Sequence, residues 1–234
     1  MSLLELDQVR KGYGHGSRLL LDGVSLQLDP CELVVIWGAR QAGRSTLLRV
    51  AAGIEAPDAG AVRFDGNDLG EGLLGSAIGY FRRDFLTDRG STVLEQLISG
   101  PLARRVPSAT AEARAWRALA RVDCARCANT SVRSLKTEEI ALIGIARLLT
   151  SEPRLLVLDE PALGVDPVLR DGILRLLRSL ADDGIAVLAT TDEGPGLRGA
   201  DRVLVLEQGE LDGEVLPRRA EVSDLASHRQ ARSG

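Results

Sequence analysis

A glycine-rich segment at residues 38–46 has the residue types and spacing of a loop that binds phosphate. In such a loop backbone N–H groups surround the phosphates, a lysine reaches their outer oxygens, and a hydroxyl binds magnesium. Arg44 occupies the lysine position, and its planar guanidinium donates hydrogen bonds in a different geometry from an ammonium group. The segment predicts a phosphate site with an altered cation, and a glycine-rich turn without a ligand is the alternative. The predicted phosphate-binding residues are Gly38, Ala39, Arg40, Gln41, Ala42, Gly43, Arg44, Ser45 and Thr46.

Two adjacent carboxylates follow an apolar segment later in the chain. Residues 153–158 are mostly apolar and lead directly into Asp159 and Glu160. In enzymes that act on phosphoryl groups, an aspartate at such a position holds magnesium, and a nearby carboxylate acts as a general base towards water. We therefore predict a magnesium ion held by Ser45 and Asp159, with Glu160 as the general base of any hydrolysis.

The pattern of apolar residues predicts the elements that position these side chains. The run at residues 33–37 is typical of a buried parallel strand, and residues 45–52 have the pattern of a helix. Strand, turn and helix in that order is the context that a phosphate loop requires. Residues 167–181 are predicted to form a helix, followed by a buried strand at residues 185–189, in a fold of the α/β class. The apolar stripe of that helix is predicted to consist of Leu169, Ile173, Leu176, Leu177 and Leu180.

Several further segments resemble those of one protein family. They are the Lys11-Gly-Tyr-Gly segment, the stretch at residues 48–60, residues 144–147 and the strand and turn at residues 201–209. Together with the phosphate loop and the two carboxylates, their order resembles the ATP-binding cassette of ABC transporters over residues 3–215. The resemblance implies an α/β phosphate-loop NTPase (RecA-like) core, with an N-terminal antiparallel β part and an inserted helical subdomain. It also implies ATP and Mg²⁺ as the ligands.

The same resemblance implies a division of the chain into three parts. Residues 1–83 and 153–216 are expected to form the ATP-binding α/β core. Residues 84–152 are expected to form the helical subdomain, within which residues 110–122 have a strong helical pattern. Residues 217–234 are polar and weakly patterned, which predicts a loose tail.

Four residues outside the phosphate loop have roles that the resemblance implies. Tyr13 corresponds to the aromatic residue that stacks on adenine, and Asp166 lies in the loop expected at the interface between two cassettes. Arg83 stands where a glutamine senses magnesium and the outer phosphate. Thr191 stands at the position of the switch histidine, and its hydroxyl donates a hydrogen bond but cannot carry the charge or proton of an imidazole.

The signature segment of the family corresponds to residues 135–139, at the start of a predicted helix. In the family this segment presents a serine hydroxyl and bare glycine amides to ATP held by the opposite subunit. Thr137 is expected to cap its own helix, and Glu138 and Glu139 are expected to meet the positive end of the helix dipole. The five signature-like residues are Leu135, Lys136, Thr137, Glu138 and Glu139.

Composition limits the partners that are expected. The formal charge is −4, and the sequence contains no cluster of lysine and arginine. We therefore expect no nucleic-acid partner. The sequence has no uninterrupted run of 18 apolar residues, which a membrane-spanning helix would need, so we expect no direct membrane insertion. The resemblance implies a transmembrane permease and a second cassette, in a homodimer or a heterodimer, as partners. The expected location is cytoplasmic, peripheral to the inner membrane.

Three functional interpretations remain open from the sequence. The first is the ATP-binding subunit of an ABC transporter that is degenerate in catalysis, because the lysine, glutamine, signature and histidine positions have all changed. The second is an active ATPase that powers transport, in which Arg40, Arg44 and Arg83 compensate for those changes. The third is a scaffold or regulatory cassette that works without nucleotide.

Overall fold

The computed structural model describes residues 2–14, 19–70, 77–82, 90–191 and 199–215. Arg83 and the predicted tail at residues 217–234 lie outside the described residues. The described strands are β1 (Leu4–Gly12), β2 (Leu19–Leu28), β3 (Leu33–Trp37), β4 (Ala59–Phe64), β5 (Asn67–Asp68), β6 (Ile78–Phe81), β7 (Leu155–Leu158), β8 (Ala186–Thr191), β9 (Arg202–Glu207) and β10 (Glu210–Val215). The described α-helices are α1 (Arg44–Ala51), α2 (Val93–Ala103), α3 (Ser108–Arg121), α4 (Thr137–Leu149) and α5 (Pro167–Asp182).

Six strands form the central sheet, in the order β10-β9-β3-β8-β7-β6. Neighbouring strands run parallel, except for the antiparallel pair of β9 and β10. All four residues of β7 are buried, as expected for a parallel strand that is covered on both faces. The carboxyl ends of β3, β7 and β8 therefore meet at one edge of the sheet, where the predicted phosphate loop, Asp159, Glu160 and Thr191 lie.

A second sheet contains four strands in the order β2-β1-β4-β5, and its paired strands are antiparallel. Leu4, Leu6 and Val9 of β1 are buried, whereas Asp7 and Gln8 between them are exposed. This sheet has one face on the core and one face towards solvent, as antiparallel sheets commonly do. The two sheets and the helices confirm the predicted α/β fold with an N-terminal antiparallel β part.

The two faces of β3 belong to two different hydrophobic clusters. Val34 and Ile36 pack in the cluster that contains α1 and the antiparallel sheet. Leu33 and Val35 pack in the cluster that contains α4 and α5. Successive side chains of a strand point to opposite faces, so β3 is held from both sides. This packing fixes the direction in which the chain leaves β3 and enters the predicted phosphate loop.

Two residues, Asp166 and Pro167, fix the start of helix α5. Asp166 is its N-cap, and the Asp166 carboxylate accepts a hydrogen bond of 2.9 Å from the backbone N–H of Val168. Pro167 occupies the first turn, where its missing N–H is not needed. The inclusion of Leu169 in the apolar stripe was wrong, because this residue is 46% exposed at the start of the helix.

Within the described ranges, no helix is long and apolar enough to cross a membrane.

Candidate functional site

The loop between β3 and α1 depends on two glycines that lie against neighbouring backbone. A Cβ at Gly38 would lie 2.6 Å from the carbonyl oxygen of Leu206, and one at Gly43 would lie 2.6 Å from that of Leu20. Gly43 is also the N-cap of α1 and has a φ of 99°, in the left-handed region that favours glycine. Larger residues at either position would displace the loop from the adjoining strands.

The start of α1 is an open helix end. The helix begins at Arg44, one residue before the predicted start, and no acidic residue lies in its first turn. No side chain caps it, so the backbone N–H groups of this turn lack intrahelical partners. Such an end attracts anions. The exposed residues of the loop are Ala39, Arg40 and Gln41, the half-buried ones are Ala42 and Ser45, and Thr46 is buried.

Arg44 and Glu160 form an ion pair across this site. Nη2 of Arg44 donates a hydrogen bond to Oε1 of Glu160. The Arg44 side chain is 6% exposed and that of Glu160 is 20% exposed, so the pair is largely shielded from water. The residue at the lysine position is thus in direct contact with the residue predicted to be the general base. Nothing in the sequence between these positions indicated this contact.

The other terminal nitrogen of Arg44 has no partner among the described residues, although it is buried. A buried donor without a hydrogen bond costs about 1–3 kcal/mol. A phosphate oxygen would satisfy it with a charge-assisted hydrogen bond. The residues present therefore fit a phosphate group next to α1, because an open helix end and an unsatisfied buried guanidinium nitrogen adjoin each other.

Thr190 connects the two carboxylate positions and was not predicted as a site residue. Its hydroxyl donates to Oδ1 of Asp159 at 3.0 Å and accepts from the backbone N–H of Glu160 at 3.0 Å. The side chain is buried near the end of β8. Leu158 pairs with Ala189 in the parallel register of β7 and β8. That register brings Thr190 opposite Asp159. The only cue to Thr190 in the sequence was that it is a polar residue directly after a buried apolar run.

The oxygen ligands near α1 fit magnesium. Ser45 and Asp159 offer a hydroxyl and a carboxylate, which are ligand types that Mg²⁺ accepts. Thr190 fixes one oxygen of Asp159 and leaves the other without a hydrogen bond among the described residues. In the part of the chain that the structure describes, no group of three or more His, Cys, Asp or Glu residues could hold a metal. A magnesium site there would need phosphate oxygens and water as further ligands.

The aromatic residue Tyr80 lies close to Asp159. Burial raises the pKa of Tyr80 to about 12, and the negative charge of Asp159 contributes to the rise. Tyr80 therefore remains a neutral phenol at physiological pH. It adds no negative charge to the site.

A family model described as ABC transporter matches residues 21–163, which is more than half of the chain. The matched range includes the loop between β3 and α1 as well as Asp159 and Glu160. This chain belongs to the ABC transporter family of ATP-binding cassettes. Members of this family bind ATP, normally with Mg²⁺.

Curated relatives of this cassette carry the names of import and transport ATP-binding proteins. The sulfate/thiosulfate import ATP-binding protein CysA of Bradyrhizobium diazoefficiens is 34% identical over 84% of this chain and 59% of its own length. The Fe(3+) ions import ATP-binding protein FbpC of Streptomyces coelicolor is 35% identical over 90% of this chain and 61% of its own length. The cassette thus spans about three fifths of these two relatives. The arginine transport ATP-binding protein ArgV of Corynebacterium glutamicum is 31% identical over 88% of this chain and 87% of its own length.

Solved cassettes have the same fold. The ADP conformation of an ATP-binding cassette of an ABC transporter superposes with a TM-score of 0.86 at 25% identity, covering 100% of this chain and 98% of the other. A dimeric cassette bound to ADP and Pi superposes with a TM-score of 0.81 at 26% identity, covering 92% of this chain and 99% of the other. These matches confirm the predicted phosphate-loop NTPase fold.

Tyr13, which the sequence predicts to stack on adenine, is 44% exposed, and its hydroxyl is hydrogen-bonded. The hydroxyl donates to Glu55 and accepts from Nη2 of Arg49 at 3.0 Å. The exposed part of Tyr13 is therefore available for stacking, while its polar end is held by the protein. The role of Tyr13 stays a prediction, and its contacts with Arg49 and Glu55 were not predicted from the sequence.

The signature-like segment of the cassette closes its own helix. Lys136 is the N-cap of α4, and its backbone N–H donates to Oε2 of Glu139 at 3.1 Å. The expectation that Thr137 caps the helix was wrong, because this residue is already in the first turn. Glu138 and Glu139 do lie in the first turn, at the positive end of the dipole. The N–H of Lys136 holds the pKa of Glu139 below its usual range.

The remaining predicted residues lie at the ends of elements. Asp166 caps α5. Thr191 is the last residue of β8 and is half-buried, one residue beyond the buried Thr190. Leu135 is buried and precedes α4. The structure thus brings Arg44, Glu160, Asp159 and Thr190 together at one edge of the sheet, while Arg83 lies outside the described residues.

Proposed function

We propose that this chain is the ATP-binding subunit of an ABC transporter in which ATP is bound with Mg²⁺ but hydrolysed slowly or not at all. The ion pair between Arg44 and Glu160 carries this proposal. The cation that would contact the outer phosphate and the carboxylate that would act on water are engaged with each other. Glu160 could act as a base towards water only if that largely buried pair separated.

The geometry around α1 supports nucleotide binding. Its open N-terminus, with Gly43 as N-cap, retains the backbone donors of a phosphate loop. Ser45 and Asp159 supply oxygens suited to Mg²⁺, which when bound would neutralise phosphate charge. Thr190 orients Asp159 through a single oxygen. These features are independent of whether Glu160 is available for chemistry.

The start of α4 supports slow turnover from a second direction. A partner cassette would present its ATP to residues 135–139, where Glu139 already accepts the hydrogen bond of the N-cap. A like-charge pair at about 5 Å costs on the order of 3 kcal/mol at an effective dielectric of about 20. The charge of Glu138 therefore disfavours a phosphate at this helix, which lowers the expected rate of the composite site.

The proposed partners are a transmembrane permease and a second cassette, at the cytoplasmic face of the inner membrane. Val168 and Leu169 follow Asp166 and are 79% and 46% exposed. Adjacent exposed apolar side chains at the start of a helix favour a protein contact. Their position beside Asp166, in the loop expected between two cassettes, supports dimerisation. A solved relative of the cassette is itself described as dimeric.

One observation favours a second candidate, an active ATPase with compensating arginines. Nη1 of Arg44 is buried and without a partner among the described residues, so Arg44 has a donor left for a phosphate while Nη2 stays on Glu160. In that case Arg44 would take over the lysine's role. The two candidates differ in whether Glu160 controls the rate of phosphate release.

The test combines binding and turnover in one preparation. Thermal unfolding of the purified chain is followed with ATP and Mg²⁺, with ATP and EDTA, and without nucleotide, and phosphate release is measured in parallel. A native-state ligand must raise the Tm. We expect ATP with Mg²⁺ to raise it, and phosphate release to stay near background in wild type and in Glu160→Gln.

Three results separate the candidates. Phosphate release that Glu160→Gln abolishes, but that the surface control Glu152→Gln leaves intact, would establish the active ATPase instead. A Tm that saturating ATP does not move would reject nucleotide binding and leave a scaffold. A Tm rise without release, unchanged by Glu160→Gln, supports the proposal.

A further inference from the structure

A closed set of hydrogen bonds holds the polar end of Tyr13. Its hydroxyl donates to Oε2 of Glu55 and accepts from Nη2 of Arg49 at 3.0 Å. Nε of Arg49 completes the set by donating to Oε1 of Glu55 at 2.7 Å. Both contacts of the phenol are with charged groups, which makes them stronger than neutral hydrogen bonds. The orientation of the Tyr13 ring is therefore set by two side chains at the end of α1 and just beyond it.

The same guanidinium reaches the phosphate-binding end of α1. Nη2 of Arg49 also donates to Oγ1 of Thr46 at 3.1 Å. Thr46 is buried in the first turn of α1, directly after Ser45. One nitrogen of Arg49 thus contacts both the aromatic residue and the helix turn at which phosphate is proposed to bind.

The backbone around Tyr13 is held by a second, separate group. Asp58 accepts from the N–H of Gly12 at 2.9 Å and from Nζ of Lys11 at 2.9 Å. Lys11 also donates to the carbonyl of Ala56 at 2.8 Å, and its ammonium lies 5.9 Å from the centre of the Tyr13 ring. The turn after α1 therefore acts as a support for residues 11–13, while the ring of Tyr13 stays exposed.

We infer that Arg49 is a positioning residue that holds Tyr13 as a preformed stacking platform for the nucleotide base. The inference rests on the proposed function, since it assumes that a nucleotide binds. A base stacks on an aromatic face whatever its hydrogen-bonding edge, so the orientation of the ring decides how much stacking is gained. A ring that is ordered before binding avoids the entropic cost of ordering it afterwards. Arg49 supplies that order through the Tyr13 hydroxyl.

The test compares a ligand that has a base with one that lacks it. Dissociation constants of ATP and of inorganic tripolyphosphate, both with Mg²⁺, are measured for wild type, Tyr13→Phe and Arg49→Lys. We expect wild type to bind ATP at least about tenfold more tightly than tripolyphosphate. Tyr13→Phe keeps the ring and Arg49→Lys keeps the charge, yet each should weaken ATP binding about five- to tenfold. Binding of tripolyphosphate should change by less than about twofold, because the anchored ring contacts no phosphate.

Two controls exclude a general effect on folding. Arg117→Lys makes the same exchange at an exposed arginine on α3 and should bind both ligands as wild type does. The double variant should lose no more ATP affinity than either single one, because both substitutions break the same set of bonds.

Several results would overturn the inference. One is ATP binding by Tyr13→Phe at wild-type strength, because the bare ring would then suffice. Another is an equal loss of affinity for ATP and for tripolyphosphate in Arg49→Lys. That result would mean that Arg49 acts on phosphate binding through Thr46 in the first turn of α1. Equal wild-type affinity for the two ligands would reject the platform but leave the proposed function intact. Failure of wild type to bind either ligand would reject both.

Discussion

The starts of α1 and α4 are both positive helix ends, but only the start of α4 is met by acidic side chains of the chain itself. At α1 no acidic residue lies in the first turn, and the N-cap is a bare glycine. At α4 two glutamates lie in the first turn, and Glu139 accepts the hydrogen bond of the N-cap backbone. An uncovered helix end attracts an anion, whereas one that meets its own carboxylates does not require a ligand.

The same contrast extends to the charges around the two helices. Arg44 adds a buried guanidinium to the open end of α1, where one nitrogen still lacks a partner among the described residues. Arg126 lies 3.3 Å from Glu139 at the other helix, so a cation of the chain itself balances that carboxylate. The first helix end therefore fits the phosphate that we propose to bind there, whereas the second meets carboxylates of its own chain.

Removing Arg44 from the start of α1 should produce the largest change in the free energy of unfolding. Arg44→Ala leaves Glu160 largely buried without its cation, and we expect the free energy of unfolding to fall by about 3 kcal/mol. Urea unfolding measures this change. The matched control is Arg117→Ala, which breaks an exposed pair with Glu152 at 3.2 Å and should cost no more than about 1 kcal/mol. Equal losses in both variants would mean that the Arg44 pair is no stronger than a surface contact.

Replacing Thr190 should have an intermediate effect. Thr190→Val keeps the shape of the side chain but removes the hydroxyl shared by Asp159 and the backbone N–H of Glu160. We expect a loss of about 2 kcal/mol of unfolding free energy, since buried polar groups lose their partner. The Mg²⁺-dependent part of the ATP-induced rise in Tm should also shrink. Thr190→Ser retains the hydroxyl and should keep that Mg²⁺ dependence, and the role of Thr190 is disproved if it behaves like Thr190→Val.

The smallest effect is expected at the closed helix end. Glu139→Gln weakens the interaction of the side chain with the start of α4 and should cost about 0.5–1 kcal/mol at pH 7. Because the folded pKa of Glu139 lies below its ordinary value of 4.5, its contribution to stability is complete above pH 4.5. That contribution is lost as the pH falls through the lower folded pKa. The stability difference between wild type and Glu139→Gln should therefore shrink below pH 4.5, and a difference that stays constant to pH 3 would contradict this account.

The regular elements were predictable because their signals are local. The strand at Leu33–Trp37 is a continuous apolar run, and the structure has the same bounds. Helix α5 was predicted within one residue of its observed end, because Pro167 marks its start and an apolar stripe marks its length. The exception is Leu169, which fits the helical period but lies at the exposed first turn. Periodicity identifies a helix face but not which of its turns are covered by another element.

The candidate site was predictable only in part. Gly38, Gly43, Ser45 and Asp159 were predicted as site residues from motif spacing, since they follow strands whose order along the chain is fixed, and their roles stay predictions. Thr190 was missed, because its role depends on the register between β7 and β8. Arg49 and Glu55 were missed for a similar reason, as their contact with Tyr13 joins the end of β1 to the end of α1.

The sequence by itself determined the α/β fold, and it predicted a phosphate loop and the positions at which family residues are exchanged. These inferences were possible because apolar period, glycine spacing and capping residues act over a few neighbouring positions. Only the tertiary structure decided that Arg44 is paired with Glu160, which lies 116 residues further along the chain. It also decided that Arg49 joins Tyr13 to Thr46. Contacts between side chains on different elements depend on how the sheets and helices pack, and no local pattern specifies that packing.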